Sequence, residues 1–432
     1  MAEYLTLLSG EYAKINPVKD MLGRREAITV DEAKRLIEDN VVFREKSEEI
    51  LIDEAYGRVL AEDIISPEDL PGFDRSTVDG LAVIASDTFG ATESMPVYLE
   101  VIGEILMGEV PDFKIKKGTA VRIATGGMLP DGADAAVMLE DVQNLDEGLI
   151  EVFRSVAPKE NVISKDEDIR KGDVVIEKGK RLRPQDVAAL AAIGITKIKV
   201  YKKPIVSIIS TGDEIIPASS PMRPGKVRDI NSYNLAGLIS LSGGIALKKG
   251  IFRDDYDEIS KVLKESLSDS DMTIITGGSS VGMRDFSEKV INSLGSPGIL
   301  FHGVNLKPGK PTIGAIIGGI PVLGLPGHPA AVTVCFELFV KPLIALLSGE
   351  KKSNLKESAK VRARLAKNIS SVQGREEHVR VRLEERDGEL WAIPIFGKSG
   401  LIRTLVLADG KVIIPSHSRG IEAGELVEVM LF

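Results

Sequence analysis

The sequence predicts a multidomain α/β plus β protein, with a central α/β domain over residues 203–346. In that region short apolar runs end in turns of Gly, Ser, Thr, Asp or Pro, and helix-like segments often follow. This alternation is typical of an open α/β sheet. Short β-like runs divided by turns fill 73–155, and alternating strand patterns fill 347–432. Ligands of open α/β sheets bind outside the carboxyl ends of the strands, so we expect a small-molecule site there.

Length and composition limit the class of protein. The chain has 432 residues, 43% hydrophobic and 28% charged, which is typical of a soluble protein of roughly three or four domains. The net charge of −9 argues weakly against nucleic-acid binding. The single cysteine, Cys335, excludes an intrachain disulfide. We expect no signal peptide and no membrane span, because Gly, Pro and charges interrupt the most apolar region, 312–348; a cytoplasmic location is predicted.

Changes in sequence texture predict the domain boundaries. Residues 25–72 and 156–202 are expected to form one α+β domain, interrupted by a small β domain at 73–155. Residues 203–346 form the α/β domain, and 347–432 form a C-terminal β-barrel. Helical spacing or a favourable first residue predicts helices over 29–46, from Pro184, and over 231–244, 255–267, 284–294 and 328–349.

Two motifs in the α/β domain suit an anionic ligand. The string GGSSVG, 277–282, follows an apolar strand, and its backbone N–H groups and hydroxyls are suited to surround an oxyanion. The alternative is a plain strand-to-helix turn, and the string is neither GxGxxG nor a Walker A loop. In NLKPGKP, 305–311, Lys307 and Lys310 flank a stiff Pro-Gly turn that suits a polyanion; a solvated basic turn is the alternative.

Acidic residues follow the predicted strands. Asp254 and Asp285 lie just beyond two of them, where carboxylates often hold Mg²⁺ near phosphates, although helix N-capping is the strong alternative for each. Asp79, Thr125 and Asp168 lie in polar stretches for which a hairpin turn or a solvated loop is the alternative. The four histidines form no ligand-like cluster, and HExxH and GxSxG are absent, so protease, esterase and zinc-hydrolase functions are disfavoured.

Six ordered strings together resemble one family. PGFDRSTVDGLAV, RIATGGMLPDGADAAVMLED, STGDEI, GGSSVG, KPGKP and LPGHPAA occur here in the order found in the molybdopterin molybdenumtransferases, the MoeA proteins that correspond to the E domain of gephyrin. The resemblance covers about 25–432. It implies an interrupted dimerisation domain, a β insert, an α/β domain like that of molybdopterin adenylyltransferases and a C-terminal β-barrel. It also implies a homodimer whose active site lies between the subunits.

The implied reaction inserts molybdate, or tungstate, into the dithiolene of adenylylated molybdopterin with Mg²⁺-dependent release of AMP. The molybdopterin adenylyltransferase is then a candidate partner for substrate handover. The resemblance assigns phosphate or oxyanion binding to Gly277, Gly278, Ser279, Ser280, Lys307 and Lys310. It assigns Mg²⁺ binding or substrate orientation to Asp254 and Asp285. It places in the cleft Asp79, Thr125, Asp168, Asp186, Pro326, Pro329 and Ser399.

Two positions depart from the family pattern. Gly303 stands where the family can carry a further lysine, and His328 replaces the asparagine of an LPGNP turn. Both departures bear on oxyanion selectivity, so molybdate and tungstate remain alternatives. Two other functions compete with metal insertion. One is adenylylation of molybdopterin, which dedicated enzymes perform with the α/β domain alone; the other is a catalytically inactive dimeric scaffold or molybdopterin-binding protein.

Overall fold

The structure is a computed structural model, and it describes residues 27–146, 148–277, 289–354 and 359–432. The chain forms two compact units. One contains the segment up to Glu48, Gly57–Val59 and Val200–Phe432, and the other contains Glu49–Tyr56 and Leu60–Lys199. Each is described by itself below.

The second unit is built on a six-stranded sheet. Apolar side chains cover both faces of this sheet in two separate clusters. One cluster includes Leu99, and the other, on the opposite face, includes Val121. A helix, Pro184–Ala192, begins at a proline as predicted. In spatial order the strands of the sheet are Ala135–Met138, Gly80–Val83, Thr119–Ile123, Val97–Ile105, Leu149–Val152 and Val142–Asp146. Two short ladders pair Arg75–Ser76 with Val162–Ile163 and Ile64–Ile65 with Val174–Ile176.

The first unit is centred on a second six-stranded sheet. Four neighbouring strands of this sheet are parallel, and each of the remaining two pairs antiparallel with the strand before it in the spatial order. Apolar clusters cover both faces, so the domain has three layers. The strand order is Ile245–Phe252, Ile205–Thr211, Met272–Gly277, Ile320–Pro326, Ile313–Ile317 and Pro297–His302. The helices include Val30–Glu38, Asn231–Leu241, Tyr256–Asp269 and Pro329–Leu347, and residues 289–293 are also helical.

The helix Pro329–Leu347 was predicted over 328–349, and it continues through the charges and the proline expected to interrupt this apolar region. By length and composition alone this helix is long and apolar enough to cross a membrane. However, 67% of its most apolar 18-residue window is buried within the protein. Phe336 and Phe339 pack in the core on one face of the central sheet. A core helix of a soluble protein has these same properties, and its burial accounts for its hydropathy.

The C-terminal part of the first unit is a closed barrel of five strands. Going round the barrel, these are Glu376–Arg386, Glu389–Pro394, Lys360–Leu365, Leu426–Leu431 and Gly410–Ile414, and the last pairs again with the first. Alternate residues such as Leu365, Val381 and Val429 fill its interior. The short strand Leu306–Lys307 of the α/β domain adds to the barrel in parallel, with Lys307 opposite Glu377.

These elements confirm the predicted multidomain α/β plus β fold with its inserted β sheet and C-terminal barrel. One element was predicted too long: the helix over 29–46 ends at Glu38. The Nδ2 of Asn40 caps it by donating to the Leu36 carbonyl, and an extended segment follows. Asp79-Gly80 is not a hairpin turn, because the strands on either side of it, Arg75–Ser76 and Gly80–Val83, pair with other strands and not with each other.

Candidate functional site

The carboxyl ends of the four parallel strands align at one edge of the central sheet. Phe252, Thr211, Gly277 and Pro326 are paired side by side there. The loops that leave this edge carry Asp254, residues 212–214 and His328. This is the edge at which ligands of open α/β sheets bind. The predicted positions Gly278, Ser279, Ser280 and Asp285 lie outside the described residues.

A cavity of about 700 Å³ opens where this edge meets the C-terminal barrel. The KPGKP turn forms one wall, the end of the strand Ile320–Pro326 a second, and the barrel segments 369–380 and 395–399 a third. Five of the predicted site residues line it together, namely Lys307, Lys310, Pro326, His328 and Ser399. Pro329, buried at the first position of its helix, lies directly behind His328.

The cavity carries an excess of positive charge. Its only lining carboxylate among the described residues belongs to Glu377, and the cationic side chains that line it are Lys307, Lys310, Arg375, Arg380 and Lys398. Cations concentrated in a concave site raise the local concentration of anions. Arginine adds planar N–H donors that suit oxyanions and phosphates. The cavity is therefore suited to a multiply charged anion, and the two arginines were missed by the sequence motifs.

Three buried nitrogen atoms around this cavity have no hydrogen-bond partner among the described residues. They are Nε of Arg375, Nε of Arg380 and Nδ1 of His378. Burial lowers the pKa of Arg380. Burial also lowers the pKa of His378, against the opposing effect of Glu376, whose Oε1 lies 2.6 Å from the His378 Nε2. Buried polar atoms are normally paired, so these three atoms are exceptions concentrated beside the cavity.

The KPGKP turn is held rigidly in place. Gly309 adopts φ +130, and a Cβ there would lie 2.7 Å from Leu306 Cδ2 and 2.8 Å from the Cys335 sulfur. The Thr312 hydroxyl donates to the Gly309 carbonyl at 2.6 Å. Glycine is thus required at this position, and the two lysines project from a turn that cannot easily shift.

The turn at the end of strand Ile320–Pro326 contacts a loop of the barrel. His328 Nδ1 lies 2.9 Å from Ser399 Oγ, and the Ala330 N–H donates to the Ser399 carbonyl at 3.2 Å. Both bonds fix the segment that carries Lys398 against the cavity. The structure thus brings Ser399 and the LPGHP turn together at the cavity.

Asp254 lies in an acidic corner of the same sheet edge, and it is not among the residues that line the cavity. Burial raises its pKa, with further contributions from the carboxylates of Asp213 and Glu214. Its Oδ1 is buried without a hydrogen-bond partner in the described residues. An unpaired carboxylate oxygen among other carboxylates fits a divalent cation. In the described part of the chain no three His, Cys, Asp or Glu side chains form a metal site by themselves, so such a cation needs further ligands.

A buried polar network that the motifs did not identify supports the sheet edge. Asn231 Nδ2 donates to Thr276 Oγ1 at 3.1 Å and to the Gly327 carbonyl at 2.8 Å. Asp229 accepts from the Ser210 hydroxyl at 2.9 Å. These bonds tie the ends of three strands together. The signal available in the sequence was Asp229 just before the helix Asn231–Leu241 and Asn231 at its start.

The remaining predicted site residues lie in the second unit. Asp79 Oδ1 accepts from both the Thr125 N–H at 2.7 Å and its hydroxyl at 2.9 Å, and these bonds lower the Asp79 pKa. Asp168 lies in an exposed loop whose backbone is bonded to Leu70. Burial opposes ionisation of Asp186, yet bonds from Arg183 and Lys180 hold its pKa well below the usual range. Its carboxylate is thus largely engaged at the start of its own helix.

Comparison with known proteins places these features in a family. Residues 28–194 match a family model described as the MoeA N-terminal region (domains I and II). Residues 207–346 match a probable molybdopterin-binding domain, and 362–432 match the MoeA C-terminal region (domain IV). The three matches cover the sheet of the second unit, the central α/β sheet and the barrel.

Individual relatives agree with these matches. The molybdopterin molybdenumtransferase of Bacillus subtilis is 36% identical, with 95% of each chain covered. Two crystal structures, each of a molybdopterin biosynthesis MoeA protein from Pyrococcus horikoshii, are also similar. One has a TM-score of 0.80 at 36% identity and covers 94% of this chain and 100% of that one; the other has a TM-score of 0.77 at 39% identity and covers 94% and 99%. The chain therefore belongs to the MoeA family of molybdenum cofactor biosynthesis proteins.

Proposed function

We propose that this protein is a molybdopterin molybdenumtransferase, which inserts molybdate or tungstate into the dithiolene of adenylylated molybdopterin and releases AMP. The observation that carries the proposal is the cation-rich cavity beside the carboxyl edge of the central sheet. Its charge suits an oxyanion and a phosphate-bearing substrate, and the named transferase of B. subtilis supports the same activity.

Within this proposal Lys307, Lys310 and Arg380 bind and neutralise the oxyanion and the substrate phosphates. Their N–H groups are presented by a rigid turn and by a barrel strand, so the donors are already in position before the substrate arrives. Cleavage of the phosphoanhydride then depends on orientation and charge stabilisation, without a covalent protein nucleophile. Pro326 and His328 shape the wall of the cavity that faces the sheet. Ser399 positions the loop beside them.

Asp254 is the described residue best suited to hold Mg²⁺. The second proposed ligand is Asp285, which lies outside the described residues. When bound there, Mg²⁺ would neutralise charge on the phosphates of the substrate. The unpaired Oδ1 of Asp254 and its raised pKa support this assignment. Gly277 and the following Gly278, Ser279 and Ser280 would bind phosphate oxygens through backbone N–H groups and hydroxyls.

The proposal includes a homodimer. In this dimer each subunit completes the site of the other with Asp79, Thr125, Asp168 and Asp186. The carboxylate of Asp186, which is bonded within its own subunit, acts by fixing its helix. The protein would act in the cytoplasm and receive substrate from the molybdopterin adenylyltransferase. The domain boundaries predicted from the sequence, with the dimerisation domain in 25–72 and 156–202, remain part of this proposal.

Release of AMP tests the proposed function. Purified protein is mixed with adenylylated molybdopterin and Mg²⁺, with molybdate, with tungstate or with neither, and AMP is quantified. We expect release that depends on an oxyanion, and the preferred oxyanion identifies the metal. Binding of substrate without any release would contradict the activity and favour an inactive scaffold. Consumption of ATP with free molybdopterin would instead indicate the adenylylation step.

A further inference from the structure

Glu377 is a buried carboxylate placed directly against a lysine of the proposed site. Its side chain is 8% exposed, and its Oε1 lies 2.5 Å from Nζ of Lys307, whose side chain is 49% exposed. The two residues belong to different domains, Lys307 to the KPGKP turn and Glu377 to the barrel strand Glu376–Arg386. Both line the cation-rich cavity.

Several contacts hold this carboxylate in place. The backbones of Lys307 and Glu377 are paired in parallel register. The Ser371 hydroxyl donates to Glu377 Oε2 at 2.8 Å, and Nη2 of Arg375 lies 3.8 Å from the same oxygen. Each carboxylate oxygen therefore has its own partner. Because burial makes an unpaired charge costly, the carboxylate keeps its cationic neighbours.

This arrangement has a consequence for the ligand. A dianion that enters the cavity meets Lys307 with an internal carboxylate already bound to it. The oxyanion must share the ammonium group, and it is also repelled by Glu377 at close range. The same carboxylate restricts the long lysine side chain, which would otherwise lose conformational freedom on binding the ligand.

We propose that Glu377 is a positioning residue, which fixes the ammonium group of Lys307 against itself and so limits the affinity of the cavity for oxyanions. This inference rests on the proposed function, since it concerns how the same site holds and exchanges its anions. Limited affinity favours turnover, because a site that binds its ground-state anion too tightly gains nothing in rate. The carboxylate thus tunes the charge of the site instead of taking part in the reaction.

The competing role for this pair is purely structural. The ion pair would then fasten the barrel to the α/β domain, and its loss would lower stability without any specific effect on anions. A double-mutant cycle separates the two roles. If Glu377 acts partly through Lys307, removing its charge must have a smaller effect on anion affinity once Lys307 is absent.

The experiment measures tungstate and molybdate binding by calorimetry in the full-length protein. Glu377→Gln removes the charge and retains the shape, and we expect more than about tenfold tighter binding of a dianion. Direct repulsion by one charge at about 6 Å, screened as in water, accounts for about tenfold, and the release of Lys307 adds to it. The gain should be smaller in the Lys307→Ala background, where only the direct repulsion remains, and it should shrink at high salt. Glu389→Gln is the matched control, because it breaks a barrel ion pair with Arg364 and Glu389 does not line the cavity.

Unchanged or weaker oxyanion affinity in Glu377→Gln would overturn the inference, while the proposed function would stand if the wild-type protein binds the oxyanion. No oxyanion binding to the wild type would instead contradict the proposed function. Should Glu377→Gln fail to fold, Glu377→Asp draws the carboxylate back by one methylene and should give a smaller gain in affinity. The rate of chemical acetylation of Lys307 is also measured by mass spectrometry, in the absence of any oxyanion. Lys307 should be acetylated faster in either variant than in the wild type, and an unchanged rate would exclude the ion pair.

Discussion

The Nδ1 atom of His328 lies 2.9 Å from the hydroxyl oxygen of Ser399, and this contact joins the central sheet to the C-terminal barrel. His328 is the N-cap residue of the helix Pro329–Leu347, and Ser399 follows Lys398 in a loop at the cavity rim. The His328 side chain therefore helps to fix a cationic wall of the cavity.

Removal of this contact should weaken oxyanion binding. We expect Ser399→Ala to lose about three- to tenfold in affinity, since a neutral hydrogen bond contributes about 1 kcal/mol and the loop carrying Lys398 becomes less ordered. His328→Ala should cause a similar loss, and the double variant no more than either. The control is Ser418→Ala, which removes a barrel-loop hydrogen bond to Gly420. Equal losses in Ser399→Ala and Ser418→Ala would contradict the role of the contact.

Asp254→Asn should abolish most turnover while the fold is retained. We expect AMP release to fall at least about 100-fold, because the amide cannot hold a divalent cation in the same way. The raised pKa of Asp254 means that its ionised form lowers stability as the pH rises through that pKa. The variant should therefore keep or slightly raise the melting temperature near neutral pH. Normal AMP release from a folded variant would remove Asp254 from the site.

The same pKa predicts the acid limb of the pH–rate profile. Turnover needs ionised Asp254, so it should begin to fall at a higher pH than an ordinary aspartate would give. Because a bound cation favours the carboxylate, a higher Mg²⁺ concentration should move this limb to lower pH. Profiles measured at two Mg²⁺ concentrations test the point, and identical limbs would show that the cation does not bind at Asp254.

Gly309→Ala should displace the KPGKP turn. The added Cβ meets Leu306 and the Cys335 sulfur, and φ +130 is unfavourable for alanine. We expect at least about tenfold weaker oxyanion binding and a loss of stability of about 2 kcal/mol. The control is Gly237→Ala, in the helix Asn231–Leu241, where nothing lies within 4 Å of the new methyl group. That change should leave binding intact and stabilise the helix; equal binding in both variants would contradict the account.

Cys335 should be inert in the native protein. Burial raises the pKa of its thiol to about 12, against weaker opposing effects from the Thr312 hydroxyl and from Lys411. Since the thiolate is the reactive form, a thiol reagent at neutral pH should label Cys335 only after unfolding. Rapid stoichiometric labelling of the native protein would show that the segment around Thr312 and the KPGKP turn opens readily.

Asp186→Asn should reduce stability more than it reduces substrate binding by the folded protein. Its carboxylate accepts from the Arg183 N–H and from Lys180 Nζ, at 2.9 and 2.8 Å, and it is buried. Loss of these contacts should cost about 2 kcal/mol. Because the folded-state pKa is depressed, this stability is present above the unfolded-state value near 3.8 and is lost as the pH falls further. Denaturant unfolding at pH 7 and pH 3 measures it, and equal stability of the variant and wild type at pH 7 would contradict it.

The sequence was sufficient for the fold because periodicity and turn residues report local structure directly. Thr29 caps its helix and Pro184 begins another, as the residue types require. The end of the first helix was misjudged because apolar residues continue beyond Asn40 at a spacing that suits both helix and extended chain. That choice was decided by the Asn40 cap.

For the candidate site, the sequence motifs predicted the residues that lie at the carboxyl edge of the central sheet, but not most of the residues that the barrel contributes. Lys307, His328 and Ser399 were identified by their motifs and do line one cavity. Arg380 and Glu377 were missed, since in the sequence they are two members of an alternating charged strand. Only the pairing of Leu306–Lys307 with Glu376 and Glu377 brings this strand beside the KPGKP turn, and such long-range pairing has no local signal.

The central claim is that the cavity beside the KPGKP turn holds the oxyanion. Crystals soaked in tungstate and measured at a tungsten absorption edge test it most directly, because the anomalous signal locates the metal without any assumption about the chemistry. The account predicts a strong peak within hydrogen-bonding reach of Lys307, Lys310 and Arg380. A peak elsewhere in the molecule, with this cavity empty, would contradict it.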